Sequence, residues 1–393
     1  MRYFRPLLAL ALILPSTLAG QSLMASSGLG MRLEPLDAVQ RALGGMGVTT
    51  RAPAVLPGNP LAALDLLAPS ITFTVQPQWG QYEIEAQRGN FYSTRFPVLG
   101  FAYPLGTDAV LTLTAGSQFD QNWAVESRTY LDVGGQSVGL TDTFISDGAL
   151  TAVQVGWARR WSPTLAFGAT LGVYRGGLIR TFTRAFDLQA ADSVALDNLI
   201  APFIDGGRWA HSGPLASLNV SWDPSPVLQV GVTVGWGGTV KVKPAEGAEG
   251  VSRNVSVPLE FKVSTIAVLN PSLSLNVGFS SANWTDLGDP SLDDVAGGRV
   301  MSYGAGLEWE RISFWAGGLP LRVGFRQSDL PFLFLGNKVR ERAISFGLSI
   351  VMVEALELPL AAVDVAFESG SRDSGGFSET FQRLTVTTRV GGR

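Results

Sequence analysis

Leu228-Gln229-Val230-Gly231-Val232-Thr233-Val234-Gly235-Trp236 places an apolar side chain at every second position, with only Gly, Gln and Thr between. Leu273, Leu275, Val277 and Phe279 repeat the pattern with Ser274, Asn276 and Gly278, and Ile344, Phe346, Leu348 and Ile350 repeat it with Ser345, Gly347 and Ser349. Successive side chains of a strand point to opposite faces, so each stretch has one greasy face and one face of small polar groups. In a soluble sandwich the second face meets bulk water and carries charges. Here it is Gly, Ser, Thr, Asn and Gln, which suits the lumen of a membrane β-barrel. Working outward from these stretches, the alternation begins near residue 70 and runs to the C-terminus.

The chain has 393 residues, 46 of them Gly, and 16% are charged. Its mean hydropathy is +0.21. Beyond the N-terminal leader, no apolar run approaches the roughly 20 residues that a membrane helix needs, so a closed barrel is the remaining way to span. The strand pattern continues without a linker-like shift in composition, which predicts a single barrel domain over 70–393. A net charge of −4 and the lack of a basic cluster exclude nucleic acid as a partner.

At the N-terminus Arg2 and Arg5 precede the apolar stretch Leu7 to Leu14, followed by Pro15-Ser16-Thr17-Leu18-Ala19-Gly20. That is the layout of a secretory signal peptide over 1–20, with cleavage after Ala19 or Gly20. The chain contains no Cys, so it has neither a lipid-attachment Cys nor a disulfide framework.

Short turns fall near Pro104-Leu105-Gly106, Trp161-Ser162-Pro163, Asp223-Pro224-Ser225-Pro226, Asn270-Pro271, Gly317-Gly318-Leu319-Pro320 and Leu358-Pro359. Longer polar connections fall between them, near 85–91, 119–147, 183–209, 241–254, 285–299, 328–341 and 369–378. Six short and seven long connections predict about fourteen antiparallel strands, an even number that puts both termini at one end. Trp79, Trp161, Trp222, Trp284, Trp309 and Trp315 lie near the expected strand ends, where aromatic girdles form.

Residues 21–69 break the barrel pattern. Leu36, Val39, Gln40 and Leu43 predict a short helix stopped at Gly44-Gly45. Asn59 reads as an N-cap with Pro60 at the first position of a helix running to Leu67. Neither helix can span a bilayer, and both fit inside a lumen lined by small residues.

The N-terminal motifs resemble those of the FadL-type outer-membrane transporters of hydrophobic compounds, with the PorV-like branch as a relative. The resemblance rests on Gly28-Leu29-Gly30, on Arg41-Ala42-Leu43-Gly44-Gly45-Met46-Gly47-Val48 and on Gly58-Asn59-Pro60-Leu61-Ala62-Ala63-Leu64. It implies a fourteen-stranded barrel in the bacterial outer membrane, closed by an N-terminal hatch in which Gly44, Gly45, Asn59 and Pro60 take part. It implies passive transport of hydrophobic small molecules such as long-chain fatty acids, with outer-membrane lipid and the barrel-assembly machinery as partners and no cofactor. The chain departs from the family at Leu61, where Ala is usual, and at its end, Arg389-Val390-Gly391-Gly392-Arg393, which lacks a terminal aromatic.

Residues able to do covalent chemistry are few. His211 is the single His. It adjoins Ser212, but neighbours on a strand face opposite ways and make a poor catalytic dyad, so no enzyme is expected. Asp286, Asp289, Asp293 and Asp294 share one expected loop without the spacing of a calcium loop, and no metal site is expected there.

Two expected outer loops are unusually apolar. Residues 182–209 include Phe186, Leu196, Ile200 and Phe203, with a short amphipathic helix expected over 192–200, and Asp329 to Leu335 includes Phe332 and Phe334. Exposed apolar surface of this kind marks a ligand or partner site, and these six residues are the expected ligand contacts. Nearby Arg180 and Arg184 read first as rim charges and second as anchors for a carboxylate. Three functions follow: a hatch-gated channel for hydrophobic molecules, a PorV-like platform for secreted proteins, and a water-filled porin. The last is disfavoured because the expected inner faces hold few charges and the N-terminal segment would obstruct flow.

Overall fold

The computed structural model describes residues 22–84, 87–133, 136–187, 203–312, 319–355 and 358–391. Fourteen wall strands follow in order: β1 Ser70–Ile84, β2 Gln87–Pro104, β3 Ala109–Asp120 continued by Trp123–Val133, β4 Gln136–Ser162, β5 Leu165–Asp187, β6 Phe203–Ser225, and β7 Leu228–Trp236 continued by Thr239–Pro244. The remainder are β8 Arg253–Ser256 continued by Glu260–Asn270, β9 Leu273–Trp284, β10 Gly298–Ile312, β11 Leu319–Phe334, β12 Asn337–Ala355, β13 Leu358–Asp373 and β14 Phe377–Gly391. The two-part strands are single wall positions: both pieces of β3 pair with β4, and both pieces of β7 pair with β6 and with β8. Neighbours are antiparallel throughout, and β14 pairs with β1 from Phe377↔Ile84 to Gly391↔Ser70. The sheet therefore closes as the expected fourteen-stranded barrel.

The period-two pattern sorts the two faces. Along β1, Ile71, Phe73 and Trp79 are exposed, whereas Ser70, Thr72, Thr74, Gln76 and Gln78 are buried inward. Phe101, Leu113, Val155, Leu171, Leu218 and Phe346 continue the greasy outer face around the wall, with Leu171 72% exposed. From Ile71 to Trp79 the apolar band covers about 26 Å of strand, after which Gln81 and Glu83 take the outward positions. A water-facing surface this apolar would aggregate; a bilayer is its natural solvent. No described helix is long and apolar enough to cross a membrane, so the strands do the spanning.

Short links join the strands at one end: 105–108, 163–164, 226–227 and 271–272, where Pro or Gly closes the turn. The expected turn at 317–320 falls partly outside the described residues, and Leu358-Pro359, expected as a turn, open β13 paired with Ala355 and Glu354. At the other end the expected long connections are mostly strand. Residues 119–133, 136–147 and the flanks of 183–209 extend β3, β4, β5 and β6 into a ribbon that rises past Arg175 by about 40 Å of strand. Polar side chains had suggested loops there, but strand pairing tolerates polar residues once the ribbon stands above the apolar band. The segment 328–341 is likewise no loop: β11 and β12 meet at Leu335-Gly336, whose φ values of 49° and 77° are those of a tight two-residue turn.

The tryptophans divide. Trp79, Trp161 and Trp222 face outward as girdle residues, with Trp161 75% exposed. Trp284 does not: it is buried inside at 3% exposure, its ring edge-on to Phe119 at 5.8 Å. Trp315 lies outside the described residues.

Candidate functional site: the hatch and the lumen behind it

Residues 22–69 run down the inside of the barrel. Ser22 is anchored near the hairpin end, donating its hydroxyl toward the Glu379 carboxylate at 2.6 and 2.7 Å. A 3-10 turn over Leu23–Ser26 follows, and a short inner strand Met31–Arg32 pairs with Asp120 and Phe119 of β3. Then come helix α1, Ala38–Ala42, and a second 3-10 turn, Pro60–Ala63. Asp65 bonds Arg160 at 2.7 Å near the short-turn end, where β1 begins. The helix expected from Pro60 to Leu67 is thus a single 3-10 turn; Asn59 caps it as anticipated, but Leu67 is 67% exposed and supplies no packing to extend it.

Inward glycines make room for this path. A Cβ added at Gly304, Gly306 or Gly324 would strike the backbone of Leu43 or Gly44, and one at Gly347 would strike Ala42. The end of α1 therefore lies directly on a floor of wall glycines, and Gly44 itself needs its positive φ of 59°. Gly45 packs against the Gln40 amide. Asp37 caps α1 by accepting from Gln40 N at 2.8 Å, while Ser345 donates to Ala42 O at 2.9 Å. Asn59 ties two hatch segments together: its amide donates to Gly47 O and Val48 O at 2.9 and 2.8 Å, and its oxygen accepts from Leu61 N at 3.2 Å. Pro60 packs against Gly156 and Gly168, and Ser217 and Asn219 donate to Gly58 O. The glycine and Asn-Pro motifs are where the hatch touches the wall.

One half of the lumen is charged, a correction to the sequence expectation of few inner charges. Arg372 is fully buried, bonding Glu341 at 2.7 Å and Glu379 at 3.1 Å. Arg383 reaches Glu368 at 3.4 Å and Glu341 at 3.6 Å, and both arginines pack on the Phe381 ring. Arg326 bonds Glu341 at 3.3 Å and Glu34 of the hatch, and Arg41 of the hatch lies 3.9 Å from Glu368. On the wall three arginines face three glutamates. Sequence patterning missed this because the charges are spread over four strands, with no more than two of the network on any one of them, and only the pairing of β11 to β14 brings them together. Burial alone would raise the Glu34 carboxyl, but Arg326, Lys262, Arg41 and Arg32 hold it at about 2. Asp37 behaves oppositely: burial, with Asp364 nearby, pushes it up to about 6 against the pull of the Gln40 N–H, Arg389 and Arg322.

A cavity of about 120 Å³ lies between hatch segments 32–36, 46–47 and 56–59 and the wall, with Phe119, Trp236 and Trp284 among its lining residues. It adjoins a weak place in the barrel. β2 and β3 pair only from Leu99↔Ala115 to Pro104↔Val110, and beyond that β3 takes the hatch strand as its partner. Pro97, which has no N–H to offer a neighbour, stands where this seam ends.

The six expected ligand contacts separate. Phe332 and Phe334 are buried, at 1% and 9% exposure, in a cluster with Met24, Ala25 and Met31 of the hatch. They seat the top of the hatch. Phe203 lies on the ribbon, on the face continuous with the lumen, in a row with Phe182 and Phe144 whose ring centroids are 6.1 and 4.7 Å apart. Phe186 follows on the same face of β5, opposite Leu140. Leu196 and Ile200, with the helix expected over 192–200, lie outside the described residues. Arg184 is held by both Asp142 oxygens at 2.7 Å, as befits a rim charge. In the 285–299 loop, Asp286 and Asp293 accept backbone N–H bonds from Gly288 and Leu287 and shape the turn.

No family model matches the chain, and no curated protein matches it in sequence. Solved structures do. The Pseudomonas putida toluene transporter TodX superimposes with a TM-score of 0.61, covering 92% of this chain and 99% of its own at 12% identity. A Pseudomonas aeruginosa FadL homologue gives 0.60, covering 93% and 100% at 10% identity. The CymD monoaromatic hydrocarbon channel gives 0.56, covering 91% and 98% at 12% identity. The chain has the FadL-type fold. At these identities the likeness concerns the fold, and it extends over the hatch as well as the barrel wall.

Proposed function

We propose that the protein is a passive channel for small hydrophobic compounds in the bacterial outer membrane, with no enzymatic step. The observation that carries this reading is the cavity between hatch and wall, bounded on one side by β3 and lying next to the unpaired β2/β3 seam. A cavity of about 120 Å³ is close to the roughly 150 Å³ voids that take up one benzene ring. In this reading, ligands gather on the aromatic row Phe144, Phe182 and Phe203, pass the top of the hatch near Phe332 and Phe334, and occupy the cavity. The seam, bridged on its inner side by the Arg95–Asp120 ion pair at 3.2 Å, is in this reading the way from the lumen to the lipid-facing surface. The neighbouring structures named for toluene and monoaromatic hydrocarbons support a compound of that size over a long acyl chain. Uptake of a radiolabelled monoaromatic by cells carrying the protein tests the reading: faster entry than in cells without it is expected. Equal entry, together with co-purification of a secreted protein on the ribbon, would favour the adaptor role of the PorV-like branch.

A further inference from the structure

Building on the channel reading, we infer that the cavity selects neutral one-ring aromatics carrying a hydroxyl group, over both pure hydrocarbons and carboxylates. Its apolar side is aromatic: Trp284 and Phe119 meet edge to face, and Trp236 lines the same space. Its polar side is unusual for a site meant for hydrocarbon alone. Gln154 and Trp284, at 4% and 3% exposure, both line the cavity, and the Gln154 amide oxygen and Trp284 indole N–H have no hydrogen-bond partner. One is an acceptor and the other a donor. A hydroxyl can satisfy either one, donating to the first or accepting from the second. A methyl group in its place would leave both buried groups unpaired, the costly outcome for polar atoms removed from water.

Charge decides against an anionic ligand. The cations at the cavity already have carboxylate partners: Arg32 bonds Glu260 at 2.5 Å and Lys262 lies 3.4 Å from Glu260. Glu34, also in the lining, is bonded by Arg326. A ligand carboxylate would meet two resident carboxylates and no cation left over. A long-chain fatty acid is therefore a poor occupant, whereas a neutral phenol avoids the conflict.

The test uses the purified full-length protein in detergent micelles and compares 4-methylphenol with 1,4-dimethylbenzene, its near-isostere, and with 4-methylbenzoate. Affinity is read by titration calorimetry on the parent protein and on the separate variants Gln154→Leu and Trp284→Phe, each checked for the heat-dependent gel shift of a folded barrel. Comparing ratios between parent and variants cancels partition into the micelle. The expected result is that 4-methylphenol binds and the benzoate does not. At least one of the two variants should lower the phenol-to-xylene affinity ratio by up to about ten-fold, the scale of one neutral hydrogen bond. A ratio unchanged in both folded variants, or a benzoate that binds more tightly than the phenol, overturns the inference while leaving a hydrocarbon channel intact. Absence of binding by all three compounds overturns the channel reading itself, and this inference with it.

Discussion

Asn59 shows how much a single side chain can hold when it is buried between two segments that have no regular structure. It satisfies Gly47 O, Val48 O and Leu61 N at once, so Asn59→Ala strands two carbonyls inside the lumen as well as removing a cap. The expected loss in hatch seating is about 2 kcal/mol, with the barrel unaffected, because none of the three bonds involves the wall. Limited proteolysis should cut within 44–62 in the variant before it cuts the parent. Asp37 makes the seating depend on pH. Its carboxyl is raised from 3.8 to about 6 by burial, so the seated hatch binds a proton that the released segment has already lost between those values. Seating is therefore strongest below about pH 4 on this account and weakens as pH rises through 6, by on the order of 3 kcal/mol. Glu34, held at about 2, acts in a lower window: its contribution is present above 4.5 and is lost as pH falls toward 2. Protection factors of the α1 amides, taken relative to intrinsic exchange at each pH, should fall between pH 4.5 and 7 in the parent, and Asp37→Asn, which keeps the cap without the charge, should flatten that dependence.

At the level of elements, α1 is a five-residue helix, too short to persist by itself, and it exists because the wall glycines let it lie flush. Gly324→Leu should displace it, since the new side chain would occupy the space of Leu43 and Gly44. Deleting residues 22–69 should have a larger effect of the same kind, giving single-channel conductance above the parent's; equal conductance would mean that the hatch does not obstruct the lumen. The ribbon formed by β3 to β6 is the other element whose role is separable from the wall. Replacing Phe144, Phe182 and Phe203 together by Ser should leave the barrel folded and reduce uptake of a dilute monoaromatic severalfold. Uptake at the parent rate would remove the row from the pathway.

For the whole molecule, closure sets the topology, because β14 pairs with β1 and fourteen strands return the chain to its starting end. Cysteines introduced singly at Ser225, in the short-turn end, and at Asp293, in the hairpin end, should react from opposite sides of the membrane. Labelling of both by an impermeant reagent in intact cells would break that arrangement. The two halves of the lumen differ: a charge network on β11 to β14 meets the hatch at Glu34 and Arg41, and a cavity lined in part by Phe119, Trp236 and Trp284 lies on the other side.

The sequence by itself determined the barrel, its strand number and the position of the hatch. Alternation at period two is a local property, and each strand carries its own record of which face meets lipid, as Ile71, Phe73 and Trp79 do against Gln76 and Gln78. The Gly44-Gly45 and Asn59-Pro60 motifs were legible for the same reason, since caps and turns are short-range. What only the tertiary structure decided was everything that needs two distant strands at once. Arg326, Glu341, Glu368, Arg372, Glu379 and Arg383 look like scattered exceptions along the chain, and Trp284 looks like one more girdle residue. Phe332 and Phe334 look like loop surface until Met24 and Met31 arrive from the other end of the chain to bury them. Strand closure sets these partnerships through register, and register is a property of pairs of strands that no single strand encodes.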